Sequence, residues 1–169
     1  NVANFSASIC DCNGELLFYT SGCAVWGKDG KLMPNGKLIG DCGYDYPCTA
    51  EWPVGTLIIP KPSDSNKYFV ISSFLKYDLS PGYGCPSQYP YNGIHYSVVD
   101  MSLRSGKGDV DSIKNIKINE YPSSAMCIVP HENNEDYWLI IKPSNDTIYS
   151  HLVSDSGISP FPVKTLSFN

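Results

Sequence analysis

Apolar and polar positions along this chain come in short runs, and a turn signal closes most of them. Residues 5–11 lead into Asn13-Gly14, residues 15–20 into Ser21-Gly22, and residues 23–26 into Lys28-Asp29-Gly30, after which residues 31–33 resume. Asn-Gly and Asp-Gly between apolar runs are the strongest short hairpin signals, because these residues tolerate the left-handed conformation that a tight turn demands. The pattern predicts an up-and-down antiparallel sheet over residues 5–33.

The same pattern recurs twice more. Strand-like segments fall at residues 56–60, 67–72, 94–100 and 113–121, and again at 125–130, 136–141, 147–153 and 163–168. Ile58-Ile59-Pro60 matches Ile128-Val129-Pro130, Tyr68-Phe69 matches Tyr137-Trp138, and Tyr96-Ser97 matches Tyr149-Ser150. In the opening meander, Phe18-Tyr19 corresponds to Phe69-Val70. Repeats of roughly 40 to 50 residues with four strands each are the signature of propeller blades. The expected fold class is therefore all-β and propeller-like, with four-stranded antiparallel blades at residues 1–54, 55–122 and 123–169, and an insertion at 75–93 in the second. A blade buries its faces only against its neighbours, and closed propellers use about four to eight. Three blades imply a larger propeller, or completion by other blades or another copy. The competing reading is an ordinary β-sandwich.

Composition agrees: 12 Tyr, 14 Gly and 13 Pro suit a punctuated sheet better than helices. The net charge of -5 disfavours nucleic acid, which asks for clustered Lys and Arg. No apolar run of about 18 residues is present to make a membrane span. The first residue is Asn1 rather than Met, so an upstream piece is expected to have been removed or left out. Seven cysteines point to an oxidising compartment with two or three disulfides. Cys42 and Cys48 flank a short Gly/Tyr/Asp/Pro segment and could close a loop. The turns argue against pairing Cys12 with Cys23, and Cys127, inside an apolar run, is the candidate for the odd thiol.

The stretches DCNGELLFYTSGCAVWGKDGKLMPNG (11–36), GTLIIPKP (55–62), IHYSVVDMSLRSGKGDV (94–110) and HENNEDYWLII (131–141) together carry a family resemblance. In this order they resemble a region near the start of large secreted proteins of the Bacteroidetes. Those proteins often end in a gliding-motility-associated, type IX secretion sorting domain. The resemblance implies an extracellular or cell-surface location and a propeller-like domain with no attached enzymatic activity. The chain departs from the pattern in one block: Asn134 and Glu135 stand where relatives have Gly and Arg.

Candidate chemistry is sparse. His95 and His151 fall on third strands, which reads as part of the repeat rather than as a ligand set, and no metal site is expected. His131 and Asp136 flank a polar turn; a general base held by a carboxylate is the chemical reading, and a structural tie across the hairpin is the favoured one. Oxygen donors at Asp109-Val-Asp111 and Asp155-x-Gly157 leave room for a structural calcium but form no complete loop. Gly106-Lys107-Gly108 is read as a flexible turn, too short for a phosphate loop. Tyr77, Tyr83, Tyr89 and Tyr91 sit in the Pro/Gly frame of the insertion and suit contact with a protein or carbohydrate. By the resemblance, Ser112 and Thr147 lie in Asp-Ser/Thr-apolar triplets that could accept O-glycans.

The expected function is an extracellular, non-catalytic binding or structural module. Its partner would be a protein or glycan at the cell surface. The alternative is a propeller-based glycan-active enzyme, which would need two carboxylates, such as Asp100 and Asp136, converging in a cleft.

Overall fold

In the computed structural model, residues 6–38, 51–76, 93–143 and 146–168 are described. The first sheet is a meander of β1 (Ala7–Cys10), β2 (Leu16–Thr20), β3 (Ala24–Gly27) and β4 (Leu32–Lys37), each strand antiparallel to the next. The expected turn chemistry is in place. The Asp11 carboxylate accepts the N–H groups of Asn13 and Glu15 at 2.8 and 2.9 Å, and Gly14 takes a φ of 82°.

The second sheet holds β5 (Glu51–Lys61), β6 (Asp64–Lys76), β7 (Gly93–Asp100), β8 (Asp109–Val110) and β9 (Ile116–Asn119). The third holds β10 (Ala125–Pro130), β11 (Tyr137–Lys142), β12 (Thr147–Ser154), β13 (Gly157–Ile158) and β14 (Lys164–Ser167). Both are five-stranded by pairing, yet each follows a four-strand plan. β8 and β9 pair the same edge of β7, at Val99–Asp100 and at Ile94–Tyr96. Between them the Asp111 N–H donates to the Val98 carbonyl at 2.8 Å, and the Val98 N–H to the Ile113 carbonyl at 2.9 Å. The two pieces are one outer strand interrupted by a bulge. β13 and β14 repeat this along β12, bridged by the Ser159 and Val163 N–H groups, each 2.8 Å from a β12 carbonyl. The protein is thus all-β and blade-like, with three antiparallel sheets among the described residues. The second sheet starts at Glu51, a little before the expected boundary at residue 55.

The sheets stack in sequence, like strand on like strand: β5 lies against both β1 and β10, and β4 against β8. Strand alternation sends successive side chains to opposite faces, so the middle sheet is buried on both. Tyr68, Val70, Val99 and Val110 pack with Phe18, Val25, Met33 and Leu38 of the first sheet. Phe69, Ile71, Ile94 and Val98 pack with Leu139, Ile141, Val153 and Ile158 of the third.

Pairing register makes the repeat explicit. Ile9–Phe18–Gly27, Ile59–Phe69–Val98 and Val129–Trp138–Leu152 are equivalent rows, each crossing the first three strands of its sheet. In the first two sheets this row faces the next sheet, and Phe18 and Phe69 are buried. In the third it faces away from the second sheet, opposite to Leu139 and Ile141. The second-strand matches read from sequence coincide with this register. The third-strand match is one residue off: His95 and Ser97 are structurally equivalent to Tyr149 and His151. The slip arises because Tyr96 and Tyr149 look alike in sequence but point to opposite faces of their blades.

A polar latch joins the outer strands of the first two sheets. The Asn35 N–H donates to the Asp109 carboxylate at 3.0 Å, and its side-chain amide to the Val110 and Asp111 carbonyls at 2.8 and 3.2 Å. Lys114 donates back to the Asn35 backbone and side-chain oxygens, both at 3.0 Å. Replacing Asn35 by Ala removes three of these bonds: the two to the Val110 and Asp111 carbonyls, and one of the two that the Lys114 ammonium makes. A loss of about 1–3 kcal/mol in urea unfolding is expected; a change within a few tenths would show the latch to be ornamental.

Candidate functional site

A cavity of about 290 Å³ lies where the β3–β4 turn of the first sheet meets the 101–108 loop that follows β7 in the second. Its apolar wall is Leu17, Leu32, Met33 and Met101. Four cations also line it: Lys28 and Lys31 from the turn, Arg104 and Lys107 from the loop. Asp29 is the one acidic residue in the lining, and its carboxylate accepts the Lys31 N–H at 3.1 Å, so it braces the turn. Among the described residues none of the four cationic groups forms an ion pair. The lining thus carries three net positive charges in a chain whose total is -5.

The loop is anchored at both ends. Asp100 is buried at its start. Burial alone would raise the Asp100 pKa. The Ser102 hydroxyl and N–H, 2.6 and 2.8 Å from the same carboxylate oxygen, and the Lys67 ammonium at 3.5 Å hold it below the usual carboxylate range. Met101 donates its N–H to the Asn66 carbonyl at 2.8 Å. At the far end Gly108 has a φ of 76°, and a Cβ there would lie 2.6 Å from the Met101 sulfur. Glycine takes this positive φ with little strain, and a larger residue would also have to push the ends of Met101 and Met33 aside. Between the anchors Arg104 and Ser105 both take left-handed angles, φ 54° and 56°. Such conformations cost about 1–3 kcal/mol each and persist where the surroundings enforce them. Here the Gly108 N–H to Leu103 carbonyl bond, 3.1 Å, closes the turn and holds Arg104 at the cavity.

Sequence reading passed over this cavity. The Asp29-Gly30 and Gly106-Lys107-Gly108 segments look like turns, and they are turns. The available signal was charge: four of the chain's 12 Lys and Arg residues fall within residues 28–31 and 104–107. What could not be read was that the turns meet, because that contact is made between blades.

Tyr77, Tyr83, Tyr89 and Tyr91 of the insertion, and Cys42 and Cys48, lie outside the described residues. Cys23 is disulfide-bonded and buried, whereas Cys10, Cys12 and Cys127 are free and exposed. Three free thiols among the seven cysteines exclude three disulfides. Cys127 is unpaired as expected but not buried: it sits on the outward face of β10.

His131 and Asp136 are joined through the backbone, the His131 N–H donating to the Asp136 carbonyl at 2.9 Å. Asn133 links their side chains. Its N–H lies 3.2 Å from His131 Nδ1 and its amide 2.8 Å from Asp136 Oδ2. Asn134 takes the left-handed φ of 59° that the turn requires. Asp100 and Asp136 bond to separate partners and share none. Ser112 is exposed, with its hydroxyl 2.8 Å from the Asp111 carboxylate; Thr147 is half-buried, its hydroxyl 3.5 Å from that of Ser167. Asp109 is engaged by Asn35, and the Asp155 carbonyl accepts the Lys61 ammonium at 2.6 Å. Among the described residues, no group of three or more His, Cys, Asp or Glu is placed to hold a metal ion. No described helix is long and apolar enough to cross a membrane.

The architecture and the inter-blade cavity define the class of protein: a stack of four-stranded antiparallel blades. Comparison with family models, curated proteins and solved structures finds no match.

Proposed function

We propose that this chain is a run of propeller blades acting as a non-catalytic binding or structural module of a bacterial secreted or cell-surface protein. The resemblance to gliding-motility-associated, type IX secretion substrates supports that setting, and a protein or glycan is its partner. One observation carries the modular reading. The row that Phe18 and Phe69 bury against the next blade is apolar in the third sheet too, as Val129–Trp138–Leu152, where the described residues supply no covering blade. Ile140, Ile148 and Leu166 extend this face, and Val129 and Leu166 are 44% and 60% exposed. An apolar face of this kind marks an interaction surface. Its occupant is a further four-stranded blade, stacked as the second sheet stacks on the third.

In a solution of the isolated chain, a second copy is the blade on offer, and two chains of three blades fall within the four to eight of closed propellers. Sedimentation velocity should therefore show concentration-dependent dimers, and Trp138→Glu should return the chain to monomer with its sheet spectrum intact. A wild-type chain that stays monomeric at high micromolar concentration would sink this reading.

A further inference from the structure

We propose that the cavity between the first two blades binds an acidic saccharide unit, a sugar ring bearing a carboxylate or sulfate. This deepens the reading above, on which the choice of a glycan rests. Charge selects the anion: Lys28, Lys31, Arg104 and Lys107 outnumber the single carboxylate of Asp29, which is occupied by the turn. Shape selects the ligand's size. About 290 Å³ is at the small end of ligand pockets, enough for one ring and its substituent. The apolar wall of Leu17, Leu32, Met33 and Met101 offers a surface for the ring's C–H face beside the cationic groups. Chemistry selects the oxyanion type. A guanidinium fork matches a planar carboxylate or one edge of a sulfate, and the lysines act as point charges around it. Lastly, the cavity is built: a left-handed Arg104–Ser105 pair is held between a buried, ionised Asp100 and the positive-φ Gly108. A plain surface turn has no need of such strain.

The test is calorimetric titration of the full chain with glucuronate, glucose and inorganic sulfate, at low and high salt. Glucuronate should bind saturably, at least tenfold more tightly than glucose or free sulfate, and weaken as salt rises. Arg104→Gln with Lys107→Gln should lose tenfold or more, as should Lys28→Gln with Lys31→Gln, which leaves the strained loop untouched. Lys164→Gln, on the outer edge of the third blade, should leave binding unchanged. Each variant's unfolding midpoint is read alongside, so a misfolded loop variant is replaced by the turn variant. Equal affinity for glucose, equal affinity for sulfate, no saturable binding, or equal loss in Lys164→Gln would each overturn the proposal. Repeating the titration in Trp138→Glu separates the two readings. Self-association without glucuronate binding sinks this one alone; binding in a wild-type chain that never associates sinks the blade-completion reading alone.

Discussion

Phe69→Ala should lower the free energy of unfolding by about 3–5 kcal/mol, the range for emptying an aromatic site in a packed core. Phe69 is 2% exposed and touches the third sheet's core on one side of a β-sheet that is covered on both. Its ring meets Tyr96 edge-on at 5.6 Å, so the substitution also forfeits an aromatic pair. The informative comparison is Trp138→Ala, at the equivalent position of the last blade. Trp138 is half-buried and covered by His131, with ring centroids 5.2 Å apart, rather than by another sheet. In the monomeric chain its removal should cost less than half as much as that of Phe69. Urea unfolding of both variants decides the matter. Equal losses would mean that Trp138 is covered as fully as Phe69, and the open face of the third blade would fail with it.

The second large effect is acid sensitivity between pH 6.5 and 4. His95 is buried on β7, and its pKa is lowered to about 4, by burial first and by the Lys117 ammonium second, with Glu120 opposing. His151 is shifted in the same direction by burial, against a Ser159 carbonyl 2.9 Å from its Nδ1 that favours the protonated ring. A histidine whose pKa is lower folded than unfolded binds a proton more readily in the unfolded chain. Its contribution to stability is thus complete above its ordinary value near 6.5 and disappears as pH falls toward the folded value. For His95 the difference is worth about 3 kcal/mol. Asp100 and Asp111, both held below the usual carboxylate range, lose their contributions only at still lower pH. Unfolding free energies measured from pH 7.5 to 4.5 should fall steadily, and His95→Gln should flatten much of the slope. A level profile in the wild type would contradict the burial of His95.

The strands and their order were legible because each apolar run is short and closed by its own turn. Asn13-Gly14 and Asp29-Gly30 set the first meander, and Tyr68-Phe69 against Tyr137-Trp138 gave the blade register. The broken outer strands were not legible. Residues 109–119 lack a continuous apolar run: the Asp111 carboxylate accepts the Ser112 hydroxyl and the Ile113 N–H, and the Asn115 side chain accepts the Ser97 hydroxyl. The third-strand slip has a similar cause: alternation fixes which way a side chain points only after the register is known. The cavity was invisible for a different reason. Lys28 and Arg104 are far apart in sequence, and nothing local to either announces that stacking two sheets will bring them to one place.

The interrupted outer strands have one more consequence. A straight sheet margin is a template on which a foreign strand can zip, the route by which β-rich chains run into fibrils. In the second and third blades that margin is cut into pieces of two and four residues. No intruder finds more than a few consecutive donors and acceptors there. Growth through the edges is thereby discouraged, and assembly is steered toward stacking through the broad faces.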